Sequence, residues 1–120
     1  MENKRSSSST FFEKISNGLK KAQIEIEELA VQYSLGKAEA VDKFEAIKKE
    51  VNTKSIEWKE KYSKLEELGK EKSIELKTKL ETLQVQLALG KAEAKEIYAE
   101  QKKKILNSIR DIEEQLRNRG

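Results

Sequence analysis

The sequence predicts an all-α protein that folds as a long, nearly straight antiparallel helical hairpin, and three observations support this fold class. Proline is absent, glycine is limited to five of 120 residues and 39% of the chain is charged, which is typical of long helices and coiled coils. A stripe of mostly apolar residues recurs every three or four positions from Phe12 to Leu116, close to the helical period of about 3.6. The stripe consists of Phe12, Ile15, Leu19, Ala22, Ile26, Leu29, Tyr33, Gly36, Ala40, Phe44, Ile47, Val51, Ser55, Trp58, Tyr62, Leu65, Gly69, Ser73, Leu76, Leu80, Leu83, Leu87, Gly90, Ala94, Tyr98, Gln101, Ile105, Ile109, Ile112 and Leu116. The third observation is an internal repeat.

The repeat reads VQYSLGKAEA at residues 31–40 and VQLALGKAEA at residues 85–94. Weaker similarity extends outward and indicates two tandem copies, at about 20–66 and 74–120. Two equivalent helices that fold back on each other would bury equivalent apolar stripes, which favours a hairpin.

The helical domain is predicted to cover residues 11–120, after a disordered tail at 1–10 that holds a run of four serines. Thr10 followed by Glu13 matches the capping-box pattern, in which each side chain binds a free backbone amide at the start of a helix. We therefore expect the first helix to begin near Phe11.

The turn of the hairpin is predicted within residues 62–73, where two sites compete. Ser63 with Glu66 forms a second capping box, whereas Gly69 could end one helix and Ser73 begin the next. The apolar stripe stays in phase through this region, so one extended helix in an intermolecular coiled coil is the alternative.

Gly36 and Gly90 occupy matching positions in the two copies, inside segments predicted to be helical. Glycine costs about 1 kcal/mol relative to alanine there, so we expect a reason for both. With Ala40 and Ala94 they would make a slim surface for close helix packing. The alternative is that both glycines end helices and divide the chain into four shorter segments.

Four apolar residues of the motif, Val31, Leu35, Val85 and Leu89, fall beside the main stripe and widen it. A seam between two helices needs only the narrow stripe. The extra width predicts a third or fourth helix at this level, supplied by two hairpins that dimerise into a four-helix arrangement. The alternative is that these are scattered surface residues.

Cysteine and histidine are both absent, which removes thiolate ligands and the usual nucleophile and base pairs. We therefore expect no enzyme activity, no cofactor, no metal site and no small-molecule substrate.

No apolar run approaches the length of a membrane span or a secretory signal, which favours the cytoplasm. The 25 basic and 22 acidic residues are finely mixed, so nucleic acid is not an expected partner.

The repeated LGKAEA, followed by KEIYAEQKKKI at residues 95–105, resembles small bacterial coiled-coil proteins of the stress-response or hypothetical type. Eleven-residue spacings, such as Leu76, Leu87, Tyr98 and Ile109, are similar to those of late-embryogenesis and apolipoprotein-type helices. The resemblance implies a non-enzymatic helical protein, with a link to stress protection, and carries over no functional residues.

Two functions follow as hypotheses. The first is a structural or protein-interaction protein that self-associates or packs on a helical partner by burying its stripe. The alternative is peripheral binding of lipid or a membrane surface through the same stripe, beginning with the apolar segment at Phe11, Phe12, Ile15 and Leu19.

Overall fold

The structure is a computed structural model that describes residues 7–62 and 70–117, and these residues form four helices. The helices are α1 (Ser7–Ser34), α2 (Ala38–Tyr62), α3 (Lys70–Leu87) and α4 (Lys95–Arg117). The remaining described residues lie in two connections, at 35–37 and 88–94. The all-α prediction is confirmed for the described part of the chain.

The four helices pack as a ring in which each one touches its two neighbours. α1 contacts α2 and α4, and α3 contacts the same two helices. Among the described residues, the backbones of the diagonal pairs, α1 with α3 and α2 with α4, do not approach each other as those of neighbouring helices do. Side chains of α2 and α4 nevertheless meet across the core. This is the arrangement of a four-helix bundle, with the apolar stripes facing a shared centre.

Neighbouring helices run antiparallel, as contacts near their ends establish. Tyr33, close to the end of α1, stacks on Tyr98, close to the start of α4. Between α2 and α3, Asn52 lies beside Gln84 and Lys59 beside Glu81, each at 3.5 Å, so the contacts move back along α3 as the chain advances along α2. The chain therefore runs up, down, up and down, and each repeat copy supplies one hairpin, α1 with α2 and α3 with α4.

The predicted two-helix hairpin and its extended-rod alternative both differ from this architecture. Each predicted long arm is divided into two helices, and the longest dimension of the chain is 52 Å, against about 160 Å for one continuous helix. The four-helix arrangement, expected from two chains, is formed within one. The physical reason is that folding at the motif lets a single chain bury its whole stripe.

The stripe itself is predicted correctly. Among its described side chains, only Gly36, Ile47, Gly90 and Ala94 escape full burial. Phe44, Leu80 and Ile105, for example, are 0% exposed. Burial of this stripe is the main source of stability, at about 25 cal/mol for each Å² of apolar surface removed from water.

Close approach of two helices occurs at a glycine that the sequence did not single out. A Cβ on Gly18 would lie 3.1 Å from the ring of Trp58, so the missing side chain lets α1 and α2 pack tightly around the indole. Near the same end of the bundle, Phe11 and Phe12 pack on Tyr62 with ring centroids 6.3 and 6.0 Å away.

The predicted boundaries differ at the N-terminus and are only partly described at the centre. α1 begins at Ser7, so Thr10 lies inside the helix and is not its cap. The two candidate turns within 62–73 fall on residues 63–69 and on the undescribed side chain of Ser73. The helices on either side of that segment, α2 and α3, pack against each other.

The core of the bundle contains one hydroxyl that its surroundings do not satisfy. Ser55 is 0% exposed, and its Oγ has no hydrogen-bond partner in the described structure. We expect Ser55→Ala to raise the free energy of unfolding by about 1 kcal/mol, because it removes a desolvated polar group without a lost bond. Urea denaturation measures this, with the exposed Thr53→Ala as control. Destabilisation by Ser55→Ala would contradict the assignment of the hydroxyl as unsatisfied.

Candidate functional site

Both copies of the LGKAEA motif lie at one end of the bundle, which we call the motif end. The motif end is formed by the connections 35–37 and 88–94, together with the helix termini that they join. All eight residues that the sequence analysis selected lie there: Val31, Leu35, Gly36, Ala40, Val85, Leu89, Gly90 and Ala94. The fold therefore gathers the predicted site, although the residues take different roles from those expected.

In the first copy the motif makes a tight helix-ending turn. Gly36 adopts a φ of 72°, and its N–H donates to Tyr33 O at 3.0 Å while the N–H of Lys37 donates to Gln32 O at 3.1 Å. This pair of bonds is the Schellman motif, which needs a residue in the left-handed region after the helix end. Glycine adopts that conformation without a Cβ clash.

In the second copy the same LGKAEA sequence forms an open connection. α3 ends at Leu87 and α4 begins at Lys95, so residues 88–94 lie outside any helix. Gly90 does not adopt a positive φ. The backbone groups of this segment therefore need partners that a helix or a tight turn would have supplied.

Lys48 of α2 supplies several of those partners from inside the bundle. Its side chain is 3% exposed, and its Nζ donates to Leu89 O at 3.2 Å, Gly90 O at 3.3 Å and Gln101 Oε1 at 2.8 Å. The carboxylate of Glu45 lies 3.0 Å from the same nitrogen. A buried ammonium group needs such charge-assisted bonds to offset its loss of water.

Three further side chains bind the backbone of the open connection. The N–H of Ala92 donates to Glu45 Oε2 at 3.0 Å. The Gln101 Nε2 donates to Gly90 O at 2.6 Å. The hydroxyl of Tyr33 donates to Ala92 O at 2.8 Å. We refer to Tyr33, Glu45, Lys48 and Gln101 as the polar clamp, because together they hold residues 89–92 against the bundle.

Aromatic rings enclose the polar clamp on its core side. Tyr33 stacks on Tyr98 with centroids 3.9 Å apart, Phe44 meets Tyr98 edge to face at 5.0 Å, and Lys48 Nζ lies 5.0 Å from the Phe44 centroid. Burial, and then the charges of Glu45 and Tyr98, raise the pKa of Tyr33 to about 12. Burial, and then Glu27, likewise raise the pKa of Tyr98 to about 12. Both hydroxyls are therefore protonated donors, and Tyr98 donates to Ile26 O.

The sequence did not predict a buried Lys48, because the predicted stripe passes through the preceding residue, Ile47. Positions 44, 47 and 51 and positions 44, 48 and 51 both have helical spacing, and hydropathy favours isoleucine. The structure buries Lys48 and leaves Ile47 half-buried. Gln101, which occupies the position of Ile47 in the second copy, was a usable signal, since a buried amide calls for a polar partner.

The expectation of close helix packing at the two motif glycines is wrong. A Cβ on Gly36 or on Gly90 would meet nothing within 4 Å, because both lie in connections, as the four-segment alternative had it. Ala40 is fully buried, whereas Ala94 is exposed. In the second copy Ala92 is buried instead, because the longer connection shifts which alanine reaches the core.

The apolar residues beside the stripe are not covered by other helices of this chain. Val31 is 64% exposed, Leu35 65% and Val85 62%, while Leu89 is half-buried. Ile97 is 42% exposed. Val31 and Leu35 lie at the end of α1, and Val85 and Leu89 lie at the end of α3, which is diagonal to α1. In the chain alone the motif end therefore carries two apolar surfaces, which we together call its outer apolar surface.

The polar clamp is closed, and its chemistry is that of a structural tie. Across residues 7–62 and 70–117, no cluster of acidic side chains has the grouping that metal ions need. Among the helices of those same residues, none has the length together with the apolar character for crossing a bilayer.

The first prediction from this geometry compares Gly36 with Gly90, which are equivalent in sequence. Gly36→Ala should lower the free energy of unfolding by about 1 kcal/mol, because alanine is strained at a φ of 72°. Gly90→Ala should not lower it, since no strain and no clash await the new Cβ. Urea denaturation of the two variants measures the difference, and equal effects would contradict the two distinct turn structures.

The second prediction concerns Lys48 and its counterpart in the other copy, Lys102. Lys48→Met should lower the free energy of unfolding by about 2 kcal/mol, because it removes the ammonium donor from Leu89 O and the positive charge beside the carboxylate of Glu45. Lys102 Nζ lies 5.8 Å from the centroid of the Tyr98 ring, which is a weaker cation–π contact. Lys102→Met should therefore lower the free energy of unfolding by less than about 1 kcal/mol.

Hydrogen exchange of residues 88–94 gives a local readout for the same pair of variants. The amide of Ala92 should lose protection in Lys48→Met and keep it in Lys102→Met, because only Lys48 belongs to the polar clamp. Unchanged exchange in both variants would show that the clamp does not hold the connection.

No protein-family model matches the chain, and no curated protein or solved structure matches it either.

Proposed function

We propose that this protein is a non-enzymatic interaction protein that binds a helical partner or a second copy of itself through the outer apolar surface of the motif end. The observation that carries the proposal is the exposure of Val31 and Val85, which are 64% and 62% accessible. They occupy the same position in the two repeat copies.

The buried stripe does not serve this purpose in the folded chain, because the four helices already cover it. Stripe residues such as Leu19, Phe44 and Leu80 are 0% exposed. A partner would have to unfold the bundle to reach them. Interaction is therefore assigned to the apolar residues outside the stripe, which no helix of this chain covers.

The distribution of the exposed residues supports a binding surface over random placement. Val31, in the last turn of α1, and Leu35, the first residue after α1, are four residues apart, and Val85 lies at the equivalent level of α3. Because α1 and α3 are diagonal in the bundle, the molecule presents two similar apolar surfaces on opposite sides. Large exposed apolar side chains that occur in groups mark interaction sites more often than isolated ones do.

The lipid alternative receives less support. Phe11, Phe12, Ile15 and Leu19, the segment predicted to contact a membrane, are at most 7% exposed. Contact with lipid through these residues would require α1 to leave the bundle.

The test places a photo-crosslinking amino acid at position 31 or at position 85 and irradiates the full chain in extract of its native host. A matched control carries the same amino acid at Glu57, which is exposed on α2. We expect discrete adducts from positions 31 and 85 and none of the same mass from position 57.

The captured protein is then purified and its binding to the full chain is measured directly. Val31→Asp with Val85→Asp should weaken that binding at least about tenfold, since each substitution would place a charge in an apolar contact. The variant must keep the helicity and melting temperature of the native chain. Adducts that match those of the control position, or binding unaffected by both substitutions, would overturn the proposal.

A further inference from the structure

The outer face of α1 has a charge pattern that the bundle does not use. Ile24 lies on the side of α1 away from the core and is 55% exposed. Lys20 and Lys21 lie four and three residues before Ile24, and Glu27 and Glu28 lie three and four residues after it. All four charged side chains are exposed.

The four charges also divide between the two flanks of the helix. Lys20 lines a groove with Glu113 and Arg117 of α4, and Glu27 acts electrostatically on Tyr98 of the same helix. Lys20 and Glu27 therefore share the flank that faces α4.

The other flank repeats the pattern. Lys21 lines a small cavity with Val51 of α2, and Glu28 lines a groove with Lys43 of α2. Each flank thus carries one lysine on the N-terminal side of Ile24 and one glutamate on the C-terminal side.

From this arrangement we infer that α1 is a homodimerisation surface, on which a second copy of this chain packs its own α1 in antiparallel orientation around Ile24. A two-fold axis at Ile24 keeps each flank on its own side and reverses the direction of the helix. Lys20 of one copy then meets Glu27 of the other, and Lys21 meets Glu28. Two isoleucines lie at the centre and four ion pairs surround them.

Other registers of the same two helices lack this complementarity. If Ile24 of one copy packed on Val31 of the other, Glu27 and Glu28 would face the same glutamates of the second copy. Like charges that face each other are unfavourable. The isoleucine-centred register is therefore the one that the charges select.

The repeat provides an internal contrast. On α3 the positions equivalent to Lys20, Lys21, Ile24 and Glu28 hold Ile74, Glu75, Thr78 and Thr82. α3 therefore has neither the central isoleucine nor the alternation of charge. The second copy retains the exposed Val85 but not the self-complementary face, so self-association is specific to α1.

One pair of helices is a small contact by the standard of stable dimers, which bury roughly 1,200–2,000 Å² in total. We therefore expect a weak dimer in rapid exchange whose population depends on concentration and falls with added salt. The face around Ile24 is distinct from the motif-end residues Val31 and Val85, so this inference goes beyond the interaction role proposed above and names a second copy as the partner.

Sedimentation velocity of the full chain over about a hundredfold range of concentration at low salt tests the inference. With increasing concentration, the apparent mass of the native chain should rise from 13.8 kDa towards twice that value. Lys20→Glu with Lys21→Glu, and separately Glu27→Lys with Glu28→Lys, should each stay monomeric, because like charges then face each other.

Two restorations make the test specific. An equimolar mixture of the two double variants should associate again, since an acidic face then meets a basic one. The fourfold variant that exchanges all four charges should dimerise like the native chain at unchanged net charge. Lys49→Glu with Glu57→Lys, on the exposed side of α2, is the control and should leave the dimer intact.

A native chain that is monomeric throughout would overturn the inference, and so would a dimer that survives both double variants. Failure of the mixture and of the fourfold variant to associate would also overturn it, provided their circular dichroism melts match the native chain. None of these results depends on crosslinks at positions 31 and 85, so the broader interaction role stands or falls on its own experiment.

Discussion

Burial of one continuous apolar stripe is the constraint on which the rest of this structure depends. A chain that is 39% charged has little apolar surface with which to form a core, so the stripe must face inward for the fold to be stable. Four antiparallel helices achieve this within one chain. The ring of helices buries every described stripe residue in a common core except Gly36, Ile47, Gly90 and Ala94.

The same packing requires the backbone to leave the helix at the two described connections, 35–37 and 88–94, and their backbone polar groups are satisfied in different ways. The first connection satisfies its own carbonyls through the Schellman turn at Gly36. The second relies on the polar clamp, whose members Tyr33, Glu45 and Lys48 come from the first hairpin. The clamp therefore ties one repeat copy to the other, besides satisfying buried polar groups.

Outside the core, the duplication has left two surfaces that differ in detail. Both copies expose a valine at the motif end, but only α1 surrounds an exposed isoleucine with lysines on one side and glutamates on the other. Association through such a face is directional, because charge selects the register while apolar contact supplies affinity. A duplicated chain can thus bind through one copy alone.

Sequence alone determined the helical class, the duplication and almost all of the core, because helical periodicity is a local property that each residue expresses through its neighbours three and four positions away. It did not determine how the motif folds. Residues 35–40 and 89–94 have identical letters, yet one segment turns tightly and the other stays open. The difference lies partly in Tyr33 and Glu45 of the first copy, whose equivalents in the second copy are Leu87 and Ala99. It lies also in Lys48, whose side chain binds the second connection and not the first. Those contacts join residues more than forty positions apart, so only the tertiary structure could decide between the two conformations.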